Sequence, residues 1–188
     1  MSDDEHPWEP EPIDVEAFHS SEGWSNINRA PHDRVSGVVY KRGMAIKRVR
    51  YEPADPAPDM PDPWQGDGPT IIRWLFSEDP ATAEHLLEGR RFSWLQDLEL
   101  APGATTGQKA HPGVDTIVYV IDGEGLLYHR PTAGSPIVTR PLRRNDAVLI
   151  EESELYSLAN PSEGEPLRLI RLGLTRAPQP SGSPEHDA

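Results

Sequence analysis

The chain has 188 residues, with 31 acidic against 18 basic side chains for a formal charge of −13, and it contains 7 His and no Cys. That is the size of one ordinary domain with tails. It excludes a disulfide scaffold, a thiolate metal site and a cysteine nucleophile, and the acidic balance excludes broad binding to nucleic acid or anionic membranes.

No apolar run approaches the roughly 18 residues of a membrane span, and MSDDEHPWEPEP is acidic where a signal peptide is basic and then apolar. The expected location is the cytoplasm. Residues 1–33 hold nine acids and one Arg and form an N-terminal arm, yet Trp8 and Trp24 gain by burial, so part of the arm is expected to pack on the body or on a second subunit. The domain proper is expected over 34–175. It opens with six cations between Arg34 and Arg50 and no acid among them. In MAIKRVRY the alternation predicts a strand with one wet face, its charge paired with the acidic arm. Residues 52–69 are Pro-rich and predict a loop or lid. GPTIIRWLFSE predicts a strand. DPATAEHLLEG predicts one short helix, with Asp79 as N-cap, Pro80 at its first position and Gly89 as terminator.

Thereafter the pattern is strand and turn throughout: RFSWLQDLEL, a turn at APGATTG, QKAHPG, DTIVYVIDGEG, GLLYHR, a turn at PTAGSP, IVTRPL, the RRND turn, AVLIEE, LYSLAN, a turn at PSEGEP, and LRLIRLGL. Short strands at this spacing with Gly/Pro turns indicate an all-β barrel or sandwich. Residues 176–188 have the composition of a disordered tail.

The run LAPGATTGQKAHPGVDTIVYVIDGEGLLY resembles the first motif of the cupins, and LRRNDAVLIEESELYSLANPSEGEPLRLIRLGL resembles their second. Together they span about residues 95–174. The resemblance implies a cupin double-stranded β-helix, the jelly-roll barrel, with an N-terminal extension and one short helix, and a homodimer, since cupins commonly pair barrels through added N-terminal strands. Within the first motif, Gly103 and Gly123 match the family's glycines, His111 matches its second His, and Lys109 and Thr116 stand where the family has its first His and its Glu. Within the second, Asn145, Glu151 and Ser153 stand for Gly, Pro and Gly. Tyr156 stands for the third metal-binding His, and Asn160 matches the final Asn. Of four family ligand positions, only His111 is retained.

Side chains at i and i+2 of a strand share a face, so Lys109 and His111 should both enter the lumen, with Thr116 and Tyr156 facing them. Lys⁺ cannot ligate a cation, and Thr and Tyr hydroxyls are poor ligands beside imidazole and carboxylate, so no transition metal or other cofactor is expected. The candidate ligand-binding residues are Lys109, His111, Thr116 and Tyr156, taking an unidentified anionic or carbonyl-bearing small molecule. If chemistry occurs, the candidate catalytic residues are His111 and Tyr156 as acid and base with Lys109, for isomerase- or lyase-like proton transfer like that of the metal-independent, RmlC-like sugar epimerases; no His-Asp dyad is visible at the matching positions.

Two alternatives stand beside this. One is a divergent metal enzyme that uses His111 with Asp115 after a one-residue slip. The other is a filled, non-catalytic structural or regulatory barrel in which Lys109 pairs with a carboxylate such as Glu151 or Asp97. His85 and His129 are expected in structural roles, and His6, His19, His32 and His186 in solvent. Glu151 and Glu152 are expected in a solvent-facing turn, and Trp74 and Trp94 in the core or at a dimer interface. Arg168 and Arg171 have opposite parity, so one faces inward, where it would favour a carboxylate or phosphate ligand.

Overall fold

The structure is a computed structural model that describes residues 11–14, 32–35, 38–41, 46–52, 64–77, 91–132, 134–152 and 154–175. In chain order, its strands are β1 (Ile13–Asp14), β2 (His32–Val35), β3 (Val38–Lys41), β4 (Arg48–Tyr51), β5 (Gly66–Asp67), β6 (Thr70–Ser77) and β7 (Phe92–Leu100). There follow β8 (Thr105–Thr106), β9 (Val114–Asp122), β10 (Glu124–Arg130), β11 (Val138–Arg143), β12 (Ala147–Ile150), β13 (Leu155–Ala159) and β14 (Leu167–Thr175). Every long apolar-patterned run of the sequence forms one of these strands. The short helix expected over 79–89, with His85, lies outside the described residues, as do Trp8, Trp24, His6, His19, His186, Ser153 and the C-terminal tail.

Two sheets face each other. The larger has the order β1-β4-β6-β7-β14-β9-β12 and the smaller β11-β10-β13-β8-β5, while β2 and β3 form a separate hairpin. Three details bear on the sequence-based expectations. The arm boundary at residue 33 falls inside β2, so the chain is already paired there. At the end of the Pro-rich segment Gly66–Asp67 pairs with β8. Among the cations of β4, Arg48 Nη2 lies 3.1 Å from Glu99 Oε1 and Arg50 Nε lies 2.7 Å from Glu52 Oε1, while most of the acidic arm expected to pair with them lies outside the described residues. A piece of the arm does dock, with Ile13 and Asp14 running parallel to Val49 and Arg50 at the sheet edge.

The turns explain the glycines of the motif resemblance. Gly103 and Gly123 have φ of 75° and 82°, and Asn145 has φ 73°, the left-handed region that Asn enters more readily than other residues with a side chain. A Cβ at Gly123 would also lie 2.7 Å from the Pro166 carbonyl oxygen, so two chain segments cross there at glycine distance.

Strand alternation sorts β14 into two faces. Leu167, Leu169, Arg171 and Gly173 are buried, while Arg168, Ile170 and Leu172 face the other way and are half-buried. Leu167 pairs with Leu100, and Leu169 sits between Leu98 and Val120. With Leu127, Leu142 and Leu158 from the smaller sheet these form one buried cluster that fills that end of the lumen. Arg168 is the outward arginine, held by Asp97 through two bonds of 3.0 and 2.7 Å.

Asn160 locks the end of β13. Its Nδ2 donates to the carbonyls of Leu100, Ala101 and Glu165, and its Oδ1 accepts from Ser162 N, all at 2.8–3.1 Å and with the residue 1% exposed. Asn160→Ala removes these bonds and leaves backbone groups buried and unpaired, so it should lower stability by about 2–4 kcal/mol in urea unfolding. A change below about 0.5 kcal/mol would show that the bonds are dispensable.

Candidate functional site

Two residues further along each strand, the lumen changes character. In the larger sheet one row reads Gln96, Arg171, Val118, Val148, and the next reads Trp94, Gly173, Thr116, Ile150. In the smaller sheet the corresponding row reads Lys109, Tyr156, His129, Val138, because Tyr156 pairs with Lys109 on one side and His129 on the other. Cross-strand partners share a face, so three ionisable side chains stand abreast. His111 links the two walls, its ring centroid 5.5 Å from Trp94 and 6.0 Å from Tyr156.

The structure thus brings Lys109, His111, Thr116 and Tyr156 to one end of the barrel, with one change of arrangement. Tyr156 is the neighbour of Lys109 in the same sheet, not its opposite number: Lys109 N donates to Tyr156 O at 2.7 Å, and Tyr156 N donates to Lys109 O at 3.0 Å. Thr116 belongs to the other sheet, in the row with Gly173 and Ile150, and is 1% exposed. Asp115 has the opposite parity, and its Oδ1 accepts from Glu152 N at 3.0 Å, so no slip carries it inward. Glu151 is exposed in that turn and Glu152 half-buried. Asp97 cannot serve Lys109, since it pairs with Arg168 and Arg73 on the outer face.

Arg171 is the inward arginine. It is 4% exposed, its guanidinium lies 5.1 Å from the Trp94 ring centroid, and among the described residues it has no carboxylate partner. Trp94 lies against the backbone of Gly173, where a Cβ would come within 2.4 Å of the indole, so this glycine leaves the space in which the indole packs. Four buried polar atoms here have no hydrogen-bond partner: Arg171 Nε, Gln96 Oε1, His111 Nε2 and Tyr156 OH. Natively folded proteins leave few such atoms, and a cluster of them marks a place where water or ligand completes the bonding.

The electrostatics follow from burial and like charge. Burial, then the charges of Arg171 and Lys109, push His111 down to about 4, so its imidazole is neutral at pH 7. Lys109 is exposed at the rim by surface area, yet enough protein crowds it that desolvation, then Arg171, lowers its pKa.

His129, expected in a structural role, stands beside Tyr156. Arg140 Nε donates to its Nε2 at 3.3 Å, which places the ring proton of the neutral form on Nδ1. Nδ1 lies 3.4 Å from Glu154 Oε2, an ion-pair distance without hydrogen-bond alignment. A His-carboxylate pair is therefore present, built from residues that the motif positions do not include.

The donor set does not fit the transition metal of the family resemblance. At the four ligand positions stand an ammonium, one imidazole and two hydroxyls, with the buried Arg171 cation beside them. Among the described residues no three His, Cys, Asp or Glu side chains come together as a metal-binding group, and no helix is long and apolar enough to cross a membrane.

Below pH 6.5, the ordinary histidine value, the unfolded chain takes up a proton that folded His111 refuses, so this group lowers folding stability as pH falls from 6.5 to about 4 and adds no further slope below that. An NMR titration should show the His111 ring neutral down to about pH 4, and a midpoint near 6.5 would contradict its burial among cations.

No protein-family model matches the sequence, and no curated protein matches it. Solved structures do. A predicted oxalate decarboxylase from Thermotoga maritima is 21% identical, with TM-score 0.53, over 72% of this chain and 97% of that one. The cupin domain of Schizosaccharomyces pombe Cnp3 is 18% identical with TM-score 0.44, over 57% of this chain and 61% of that one. A Cupin 2 conserved barrel domain protein from Salinispora arenicola is 17% identical with TM-score 0.42, over 56% and 75%. Two opposed antiparallel sheets, glycine-type turns at the motif positions and the Thermotoga likeness together identify the fold as that of the cupin superfamily.

Proposed function

We propose that the polar end of the lumen binds a small organic anion without a transition metal, with Arg171 holding the charge. The observation that carries this is an arginine, Arg171, 4% exposed as a residue, with Nε unpaired and no carboxylate partner among the described residues. A buried charge left unpaired costs several kcal/mol, which an anion in the plane of the guanidinium offsets through a bidentate contact. Lys109 adds charge at the rim, and His111, Thr116 and Tyr156 supply neutral hydrogen-bonding groups that orient the ligand. Gly173 and Trp94 shape the wall behind it.

A second function at the same site is favoured by one observation, the His129-Glu154 pair beside Tyr156. With Glu154 at Nδ1, and a substrate taking the place of Arg140 at Nε2, the imidazole beside the Tyr156 phenol would serve as the base of a metal-independent proton transfer adjacent to a carbonyl. The ligand would then be a substrate, and the protein an isomerase- or lyase-like enzyme.

The test uses protein purified without a His tag. Arg171→Met removes the unpaired charge, so the ligand-free variant should be more stable by about 1–4 kcal/mol, and it should lose the thermal shift that acetate and propionate give the wild type. A variant that is destabilised, or that keeps the shift, would place Arg171 in a structural role. Near-stoichiometric Fe, Mn, Ni or Zn by elemental analysis would defeat the metal-free assignment.

The cytoplasmic location and the absence of nucleic-acid and membrane partners belong to the same proposal and are supported by the charge of −13. So does a homodimer, supported by Leu149, 60% exposed on edge strand β12, and Tyr119, 40% exposed on β9 next to it. Sedimentation equilibrium at micromolar concentration should give twice the chain mass, and the mass of one chain would refute pairing.

A further inference from the structure

The two cations of the lumen end stand on opposite walls. Arg171 rises from β14 of the larger sheet, paired on both sides with Gln96 and Val118. Lys109 is bonded through its backbone to Tyr156 of the smaller sheet. The two charges therefore approach the lumen from opposite walls. His111 bridges those walls, near Trp94 on one and Tyr156 on the other.

Neither cation has an acid of its own among the described residues, while the acids of adjoining segments are committed elsewhere. Asp97 holds Arg168 outside the barrel, Asp115 accepts from the Glu152 backbone, and Glu154 lies against His129. Each of the two cations is therefore raised in energy by the other with nothing between them to compensate.

We propose that the lumen end takes a small dicarboxylate, one carboxylate lying in the plane of the Arg171 guanidinium and the other at Lys109. This assignment rests on the lumen end being an anion site and adds the second charge and its position. The guanidinium carbon lies over the Trp94 ring, 5.1 Å from its centroid, and its Nε is unpaired, so the in-plane edge that carries Nε is where a planar carboxylate would bond. A monocarboxylate compensates one cation and leaves the other. Inorganic phosphate carries two charges but is too compact to reach both walls. Between the two carboxylates, His111 Nε2 and Tyr156 OH are unpaired and buried, and they are available to whatever the connecting carbons carry. The depressed pKa of Lys109 agrees with this, since a second anionic group would relieve the repulsion from Arg171.

Isothermal titration calorimetry of the full chain tests the assignment, with acetate, propionate and butyrate against malonate, succinate and glutarate, and with inorganic phosphate as the compact dianion. One dicarboxylate should bind about tenfold or more tighter than every monocarboxylate and than phosphate. Lys109→Met, at an exposed rim position, should cost the dicarboxylate at least tenfold more affinity than it costs propionate, while Arg171→Met should abolish both, with far-UV circular dichroism and melting confirming that each variant is folded. If Lys109→Met leaves the dicarboxylate preference intact, or phosphate binds as tightly as the best dicarboxylate, the two-ended ligand is overturned while the anion site at Arg171 stands. If wild type binds no carboxylate, both fall.

Discussion

Strand β14 lies between β7 and β9 and is paired with both along its length, so its alternation decides what the lumen contains. A one-residue change of register would move every side chain to the other face. In the register observed, the strand delivers Leu167 and Leu169 to a packed apolar floor and Arg171 and Gly173 to the polar end. The floor fixes the fold. The polar end inherits a charge that the protein's described acids do not neutralise, and the glycine next to it leaves space for an indole rather than a side chain of its own.

This division would let an acidic chain carry the proposed anion site. At −13, the exterior opposes polyanions, while Lys109, Arg171 and Arg140 gather near one mouth of the barrel. On the proposed reading, a small anion would reach cations that the acidic exterior keeps from a nucleic acid or an anionic membrane surface. Neutral His111 and the hydroxyls of Thr116 and Tyr156 would then serve as hydrogen-bonding groups, with charge pairing in place of coordination chemistry.

Most of the barrel could be read from the residues because turn chemistry and alternation are local. Asn145 stood for a glycine and indeed adopts a positive φ, and the parity of IVYVI put Thr116 inward ahead of Asp115. Lys109 and Tyr156 were placed together by motif position, though their side-by-side pairing depends on a bridge between distant segments that no local pattern reveals. Arg171 was undecidable for a physical reason: each face of LRLIRLGL carries one arginine, and the face that proves to be outward is the more apolar. Its counterpart Arg168 is held outside by Asp97, 71 positions away. His129 was missed because its significance comes from the registry of β10 against β13, which puts it beside Tyr156, and from Glu154 and Arg140, which belong to neither motif position. A tally of inward positions across the hairpin, had the register been known, would have found it.

The most direct test of the central claim is an experimentally determined structure of the protein crystallised with malonate. A lumen open at its polar end, with a carboxylate lying in the plane of the Arg171 guanidinium beside Trp94, is the predicted result. An Arg171 ion-paired to a carboxylate of the protein itself, in a lumen sealed by side chains around Lys109 and Tyr156, would contradict it.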